Sequence, residues 1–595
     1  MRIRGPLYPR GANLISHKRL VNVRRAMALV VILFVGYLVN FQVIHRDSLN
    51  QLAAAKMKVN AVIPALRGDI VDAQGKILAT SVLSYDVNVD PTLVQPFDRV
   101  VNGVTTTISV AQAAHEIAFV TGADEAQISQ KLIGTSRYAN LVKQVDGITY
   151  RRLVRLNIPW VFFESTPHRV YPNGALAGNL LGFMGADGNP LEGLELSENS
   201  CLAGKNGQES FDAGEDGIKI PSSREVTVEP KQGATVRLSI SSDLQFYAQQ
   251  IMAKYVRKER ADWGSAVVVE AKTGKLLAAA EYPSVDPNNP LATNNVDRRS
   301  RIFQALFEPG STLKTVTAAT AIDVGKATPE SRVVATQRTY VTKEHLLIAD
   351  SHDHPAQNLT LTGVLRDSSN TGIIQIGIKV PLQTRYEYWL KFGLGTRTAV
   401  NFPGEGSGII HKPADTDGLT NYTSMFGQGM SVTPIQTAFL YQTIANNGVR
   451  LSPKLLLGCT GADGKTTPLE KTIAPTRVLS AATARSTVDM LEKVVEQGPI
   501  GKTAAVPGYR IAGKSGTAQL KEGNGYGYLH AISFIGMAPA DDPRYVLAVT
   551  IYRPRTVSNS IGATPVFKAI MQQVLRTYRI PPSTTKSANI ATEWK

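Results

Sequence analysis

One apolar segment near the N-terminus divides the chain. Ala26 to Ile44 (AMALVVILFVGYLVNFQVI) is apolar apart from Asn40 and Gln42, and its length is close to the ~20 residues that a membrane-spanning helix needs. Seven lysines and arginines lie before residue 26, and the first acidic residue is Asp47. The positive-inside rule therefore predicts a cytoplasmic N-terminus and a single-pass anchor, with everything after it outside the cell membrane. A cleaved signal peptide is the alternative, but the small residues Ala53–Ala55 lie far from the apolar segment for a cleavage site.

Length and charge exclude several classes of protein. A chain of 595 residues is too long for one hydrophobic core and predicts two or three domains. Nearly half of the net charge of +16 lies before the apolar segment and the rest is spread along the chain, so it does not predict a nucleic-acid groove. The chain has two cysteines, Cys201 and Cys459, far apart and in different predicted domains. They predict neither a disulfide framework nor a metal site.

The last 350 residues or so predict a sheet covered by helices. Ser242-Asp243 begins an amphipathic helix, and Gly264–Pro283 has the pattern of a β-hairpin. Three strands and a helix are predicted near the C-terminus, at Tyr509–Leu520, Ala531–Ala538, Tyr545–Tyr552 and Pro565–Tyr578. Such an order favours an antiparallel sheet flanked by helices. The polar segment 579–595 is predicted to be disordered.

The motif that carries chemistry is Ser311-Thr312-Leu313-Lys314. Pro309 and Gly310 break the preceding structure, and the alanine-rich run that follows predicts a helix. Residues three apart share a helix face, so Lys314 lies within reach of Ser311. A serine hydroxyl becomes a nucleophile when a base takes its proton, and a lysine can be that base if burial or a nearby cation lowers its pKa. Ser311 is therefore the candidate nucleophile, although a capped helix with a solvated lysine is the alternative for this motif alone.

Two further motifs suit the same chemistry. Ser368-Ser369-Asn370 is predicted on a loop between two helices, where a hydroxyl can pass protons and an amide can hold a substrate. Lys514-Ser515-Gly516-Thr517 lies in the first of the late strands. There Gly516 would let a substrate backbone approach, and the charge of Lys514 would help to keep Lys314 unprotonated.

The three motifs in this order resemble those of penicillin-binding proteins and serine β-lactamases. The wider sequence is similar to class B penicillin-binding proteins, in RGDIVDAQGKILATS near the anchor, GLE at Gly193–Glu195, EPGSTLK, and SFIGMAPADDPRYVLAVTI. This resemblance covers nearly all of the exported part and is loosest between about residues 83 and 170. It implies a multidomain α+β protein: a basic tail (1–25), an anchor (26–46), a non-catalytic pedestal of mixed α/β structure (47–230), and a transpeptidase domain with a five-stranded antiparallel sheet (231–578).

The resemblance also implies the roles of the residues. Ser311 would attack the penultimate D-alanine carbonyl of a peptidoglycan stem peptide while Lys314 takes its proton. Ser368 and Lys514 would relay a proton to the leaving D-alanine, and Asn370 would position the peptide. Ser515, Gly516 and Thr517 would bind the substrate, with the oxyanion held by backbone N–H groups of Ser311 and Thr517. An amine of a neighbouring strand would then take the acyl group, β-lactams would acylate Ser311, and no metal or cofactor would be needed.

Alternatives remain at this stage. The short basic N-terminus, single anchor and compact length resemble the division type of the class, the FtsI-like transpeptidases, whose partners would be a membrane-embedded glycosyltransferase and other division proteins. An elongation-type enzyme, a D,D-carboxypeptidase or β-lactamase, and a non-enzymatic division scaffold are the other functions. His352, Asp353 and His354 are interpreted as surface or hydrogen-bonding residues rather than metal ligands, and Glu405 as a turn carboxylate.

Overall fold

The computed structural model describes residues 17–101, 103–212, 221–341, 346–469, 473–522 and 525–595. These residues form two compact units. One comprises the chain up to residue 64 together with 205–231, and the other comprises 65–204 together with 232–595.

The α-helices of the described residues are, in chain order, α1 His17–Val39, α2 Arg46–Met57, α3 Val110–Thr121, α4 Glu125–Lys131, α5 Gly147–Arg155, α6 Gly178–Leu181, α7 Gly193–Ser197, α8 Asn199–Leu202, α9 Ser242–Lys258, α10 Arg301–Gln304, α11 Lys314–Asp323, α12 Leu361–Asp367, α13 Asn370–Gly377, α14 Leu382–Lys391, α15 Gly418–Thr423, α16 Pro434–Ala445, α17 Ala481–Gln497 and α18 Thr564–Thr577.

The strands are β1 Lys58–Ile63, β2 Ile70–Val71, β3 Ile77–Val89, β4 Phe97–Val101, β5 Val104–Ile108, β6 Ala139–Val145, β7 Val161–Val170, β8 Gly207–Asp212, β9 Glu225–Val228, β10 Thr235–Leu238, β11 Trp263–Glu270, β12 Leu276–Tyr282, β13 Arg332–Ala335, β14 Arg338–Val341, β15 Leu346–Ala349, β16 Gln357–Thr360, β17 Val449–Arg450, β18 Leu456–Thr460, β19 Thr466–Thr467, β20 Thr476–Arg477, β21 Ala512–Glu522, β22 Gly525–Ala538 and β23 Tyr545–Tyr552.

The first unit contains the predicted anchor. Helix α1 continues through a π-helical turn, Asn40–Ile44, so that His17–Ile44 is one helical stretch whose length and composition suffice to cross a membrane. None of its residues is buried by the rest of the protein, as expected for a helix whose apolar surface faces lipid. The same unit contains a small antiparallel sheet in the order β1-β8-β9.

The second unit is built around the antiparallel sheet β12-β11-β23-β22-β21. Successive side chains of β23 point to opposite faces: Leu547 and Val549 join the core formed with α9 and α18, whereas Val546 and Ala548 join the core formed with α11, α16 and α17. The predicted antiparallel sheet between helices is therefore confirmed. Of the three predicted late strands, β23 has the predicted bounds.

A mixed sheet of seven strands also belongs to this unit. Its order is β19-β18-β10-β2-β3-β6, with β7 paired to the other side of β3. Helix α8 precedes β10 in the chain and packs against it, which brings Cys201 beside Cys459 of β18. The two cysteines form a disulfide bond. The expectation that two cysteines far apart in sequence would form no disulfide framework is wrong, because β10 lies directly beside β18 although 217 residues lie between the two strands.

The C-terminal segment 579–595 is ordered, which corrects the prediction of a disordered tail. Backbone bonds link Thr360 N–H to Thr592 O (3.1 Å) and Trp594 N–H to Asn358 O (3.1 Å). The indole N–H of Trp594 donates to Val333 O at 3.1 Å, and Ile580 is buried in the core beneath α18. A composition-based argument missed these contacts because they use backbone groups and two large side chains within an otherwise polar segment.

Candidate active site

The candidate nucleophile lies on a tight turn against the sheet. Residues Gly310–Leu313 form one turn of 3₁₀-helix that leads directly into α11, so Ser311 lies one turn before Lys314. Gly310 has φ +54°, and a Cβ at this position would lie 2.9 Å from Thr517 O. Only glycine combines that backbone conformation with such a close approach. The turn of Ser311 is consequently pressed against strand β21.

Strand β21 carries the third motif along the edge of the sheet. Among the strands that the structure describes, β21 pairs with β22 alone. A Cβ on Gly516 would lie 2.7 Å from Thr312 Cγ2 and 3.1 Å from Pro309 O. The absence of a side chain at this position thus lets the Ser311 turn pack against β21, and its predicted role in admitting a substrate backbone stays a prediction. Ser560 Oγ donates to Gly516 O at 2.6 Å and lies 3.1 Å from Thr517 Oγ1.

The second motif occupies the predicted loop between two helices. Ser368 follows α12 with φ +62°, a left-handed conformation that is uncommon for a residue other than glycine. Ser369 then caps α13, its hydroxyl oxygen accepting the N–H of Gly372 at 2.9 Å. The change of chain direction between α12 and α13 places Ser368 beside both lysines.

The three motifs converge on Ser368. Lys314 Nζ donates to Ser368 O and lies 3.4 Å from its Oγ. Lys514 Nζ donates to Ser368 Oγ at 2.9 Å and to Ser515 O at 3.1 Å. One serine hydroxyl is therefore shared between the ammonium or amine groups of two lysines, an arrangement through which a proton can pass.

The electrostatics of the two lysines differ from those of surface lysines. Both side chains are fully buried. Burial, followed by the positive charge of Lys514, holds the pKa of Lys314 well below its usual range, and Asp350 partly opposes this. Burial lowers the pKa of Lys514 to about 7, against a smaller raising effect of Asp367. A lysine that is neutral near pH 7 can accept a proton from a serine.

The remaining predicted residues lie close to this centre with different partners. Within the described residues, no direct hydrogen bond joins Ser311 to Lys314, whose Nζ contacts Ser368. Asn370 Nδ2 donates to Ala349 O at 2.8 Å. Ser311 is partly exposed, which leaves its hydroxyl accessible to a ligand.

Two residues of the surroundings had no motif to signal them. Asp350 follows β15 and accepts hydrogen bonds from the backbone of Asn370 and Thr371, and Ser560 precedes α18. The tertiary structure brings both residues to the site, so the sequence alone could not identify them. His354, interpreted as a hydrogen-bonding residue, pairs with Asp350 at 3.0 Å.

The remaining carboxylate from the sequence analysis lies in a turn. Glu405 is buried and accepts the N–H of Thr398 at 2.8 Å. Burial raises the pKa of this carboxyl group. The contacts of Glu405 stabilise the loop in which it lies.

Comparison with known proteins agrees with these motifs. Residues 264–572 match the family model of the penicillin binding protein transpeptidase domain, and residues 62–190 match the penicillin-binding protein dimerisation domain. Penicillin-binding protein PbpB of Mycolicibacterium smegmatis is 34% identical over 588 residues, which cover 94% of this chain and 90% of that protein. The peptidoglycan D,D-transpeptidase FtsI of Escherichia coli K12 is 31% identical over 87% of this chain and 84% of its own length.

A solved structure shares the fold. The crystal structure of penicillin-binding protein 3 of Mycobacterium tuberculosis complexed with ampicillin superposes with a TM-score of 0.69, at 28% identity, over 90% of this chain and all of that one. Family model, relatives and fold thus point to the same group of enzymes. The chain belongs to the class B penicillin-binding proteins and, among them, to the FtsI-like serine peptidoglycan D,D-transpeptidases.

Proposed function

We propose that this chain cross-links peptidoglycan stem peptides through an acyl-enzyme on Ser311. The observation that carries the proposal is that Lys314 and Lys514, both fully buried, each donate a hydrogen bond to Ser368. Lys314 also lies one helical turn after Ser311. Burying two cationic groups beside each other is unfavourable for folding. A role of the two lysines in making Ser311 reactive explains why they are buried together despite this cost.

In the first half of the reaction, Ser311 Oγ attacks the penultimate D-alanine carbonyl and Lys314 Nζ takes the hydroxyl proton. The backbone N–H groups of Ser311 and Thr517 stabilise the oxyanion. Ser515 and Thr517 bind the terminal carboxylate, while Asn370 positions the peptide. The carbon–nitrogen bond then breaks, and a proton delivered through Ser368 and Lys514 allows D-alanine to leave as an amine.

In the second half, an amine of a neighbouring stem peptide attacks the ester. It loses a proton to the same basic groups, and Ser311 is released as the alcohol. A peptide bond between strands replaces the bond to D-alanine, so no external energy source is required. The residues supply every proton transfer, and the proposal invokes no metal or cofactor.

The cellular setting is part of the same proposal. The helix His17–Ile44 anchors the chain in the cell membrane with its basic N-terminus in the cytoplasm and Ser311 outside. The likeness to the FtsI transpeptidases supports a role in septal wall synthesis during cell division. A membrane-embedded glycosyltransferase and other division proteins would be the partners near the anchor.

β-Lactams would act on this chain as substrate analogues. Opening of the lactam ring by Ser311 Oγ forms an ester whose amine stays attached to the acyl group, so that no leaving group departs. The complex of ampicillin with the similar mycobacterial protein supports this expectation.

A product assay tests the proposed function. The full chain in detergent is incubated with a donor stem peptide ending in D-alanyl-D-alanine and with an amine acceptor. We expect cross-linked product in excess of hydrolysed donor, and neither product from Ser311→Ala, with the exposed Ser558→Ala as control. Released D-alanine without cross-link would indicate a carboxypeptidase, and no turnover by folded protein would favour a scaffold.

A further inference from the structure

The turn at Ser368 needs external support. A serine in the left-handed conformation lies between the end of α12 and the start of α13. This backbone conformation is unfavourable for a residue with a Cβ, and it persists only where the surroundings fix it. The atoms that fix it determine where Ser368 O and Oγ lie relative to the two lysines.

Asp350 supports the residues that directly follow Ser368. Its Oδ1 accepts the backbone N–H groups of Asn370 (2.5 Å) and Thr371 (3.0 Å). Its Oδ2 accepts the hydroxyl of Ser369 at 2.6 Å. A carboxylate at the first N–H groups of α13 also interacts favourably with the positive end of the helix dipole. One side chain therefore contacts three consecutive residues directly after Ser368.

His354 also contacts the carboxylate of Asp350. Its Nε2 lies 3.0 Å from Asp350 Oδ2 and its Nδ1 lies 2.7 Å from Pro355 O. Each ring nitrogen thus lies within hydrogen-bond distance of an oxygen atom. The side chains of His354 and Asp350 are only 6% and 2% exposed. The carboxylate is thus held between a histidine and the turn, away from bulk water.

Asp350 also acts on the candidate base. Among the charged groups around Lys314, Lys514 lowers the pKa of Lys314 and Asp350 raises it, while burial lowers it further. Asp367 acts in turn on Lys514, and His354 faces Asp350. The carboxylate is therefore connected to the reaction in two ways, through the geometry of Ser368 and through the charge near Lys314.

We propose that Asp350, paired with His354, is a positioning residue of the transpeptidase reaction, holding the Ser368–Asn370 turn in place between Lys314 and Lys514. The inference rests on the proposed function and assigns a role to two residues outside the three motifs. Asp350 does not touch substrate. It acts through Ser368, Asn370 and the electrostatic environment of Lys314.

The test compares the rate of Ser311 acylation by benzylpenicillin in the full chain across pH 5 to 9. Asp350→Asn keeps the shape and removes the charge, so the pKa of Lys314 falls and the acidic limb of the rate profile moves to lower pH, by about half a unit or more. His354→Gln keeps the charge of the carboxylate but removes its ring partner, so acylation slows at every pH. Asp350→Ala also removes the contacts to the turn and slows acylation at every pH, by about 10-fold or more.

The matched control is Asp353→Asn, an exposed carboxylate three residues away that contacts Gln337. It should keep the wild-type profile. A residue with a merely structural role would lower the melting temperature and the amount of active protein while the midpoint of the acidic limb stayed fixed. If Asp350→Ala does not fold, the profile of Asp350→Asn decides.

The outcomes separate this inference from the function on which it rests. Wild-type protein acylated at Ser311, with Asp350→Asn showing an unchanged profile, overturns the role of Asp350 alone. Folded Asp350→Ala that is acylated at the wild-type rate also overturns it. Folded wild-type protein that is not acylated overturns the proposed function and this inference together.

Discussion

Lys314 and Lys514 both place a side-chain amine beside the hydroxyl of Ser368. Lys314 follows the Ser311 turn and Lys514 comes from the edge strand of the sheet, and both contact Ser368. The positive charge of Lys514 adds to burial in lowering the pKa of Lys314, since two positive charges in a buried site repel each other. A base near Ser311 and a proton carrier near the leaving group can thus be made from identical side chains.

Loss of the Lys314 amine should slow acylation severely. Lys314→Ala removes the amine that we propose takes the Ser311 proton, so we expect benzylpenicillin to acylate the variant at least ~100-fold more slowly than wild type. Stopped-flow or gel-based acylation measures the rate. Lys326→Ala, an exposed lysine just after α11, is the control. An unaltered rate in Lys314→Ala would remove Lys314 from the role of base.

The buried Lys514 should also make stability depend on pH. Its pKa is lowered by burial to about 7, whereas its ordinary value is 10.5. Between these values the unfolded chain binds a proton that the folded chain does not, so this group's contribution to the free energy of unfolding rises with pH. We expect Lys514→Met to flatten the rise in melting temperature between pH 7 and 9.5, while the exposed Lys272→Met leaves it intact. A wild-type slope in Lys514→Met would contradict the burial of a neutral amine.

Sequence reasoning succeeds at the residue scale where chemistry and spacing coincide. Ser311 and Lys314 lie one helical turn apart whatever the rest of the fold does, so their closeness could be inferred locally, although Lys314 Nζ bonds to Ser368. Asp350 lies 19 residues before Ser369, to which it bonds. Its position depends on how β15 ends beside α13, and no local pattern encodes that.

At the scale of secondary structure, continuous apolar runs made the central sheet predictable. The inner strands are apolar on both faces because helices cover both sides, which gives long apolar runs such as Tyr545–Tyr552. The C-terminal segment has no such run. Its order comes from backbone bonding to Asn358 and Thr360, and from the ion pair of Arg366 with Glu593 at 2.8 Å.

Removal of residues 589–595 should therefore destabilise the helix that leads to Ser368. The deleted segment packs on α12 so closely that a Cβ on Gly363 would lie 1.9 Å from Thr592 O. We expect a fall in melting temperature of several degrees, corresponding to about 1–3 kcal/mol. A variant lacking only Lys595 is the control. An unchanged melting temperature in the longer deletion would show that these contacts add no stability.

At the scale of the whole chain, the disulfide connects segments that are 258 residues apart in sequence. Sequence alone could not pair these cysteines, because α8 and β18 become neighbours only through β10. A disulfide persists in an oxidising environment, which agrees with the side of the membrane predicted from the N-terminal arginines.

Removing the disulfide should lower stability without changing the chemistry. For the double variant Cys201→Ser, Cys459→Ser, we expect a loss of about 2–4 kcal/mol in the free energy of unfolding, since the unfolded chain regains the entropy that a long closed loop restricts. Acylation per folded molecule should match wild type. Dithiothreitol should lower the melting temperature of wild type but not of the double variant. Equal melting temperatures of wild type and double variant without dithiothreitol would contradict this account.

The most direct test of the central claim is the intact mass of the full chain after incubation with benzylpenicillin, alongside Ser311→Ala. A nucleophilic Ser311 predicts one persistent adduct of the mass of the drug in wild type and none in the variant, with equal melting temperatures. A stable adduct in Ser311→Ala, or its absence from folded wild-type protein, would contradict the assignment of Ser311.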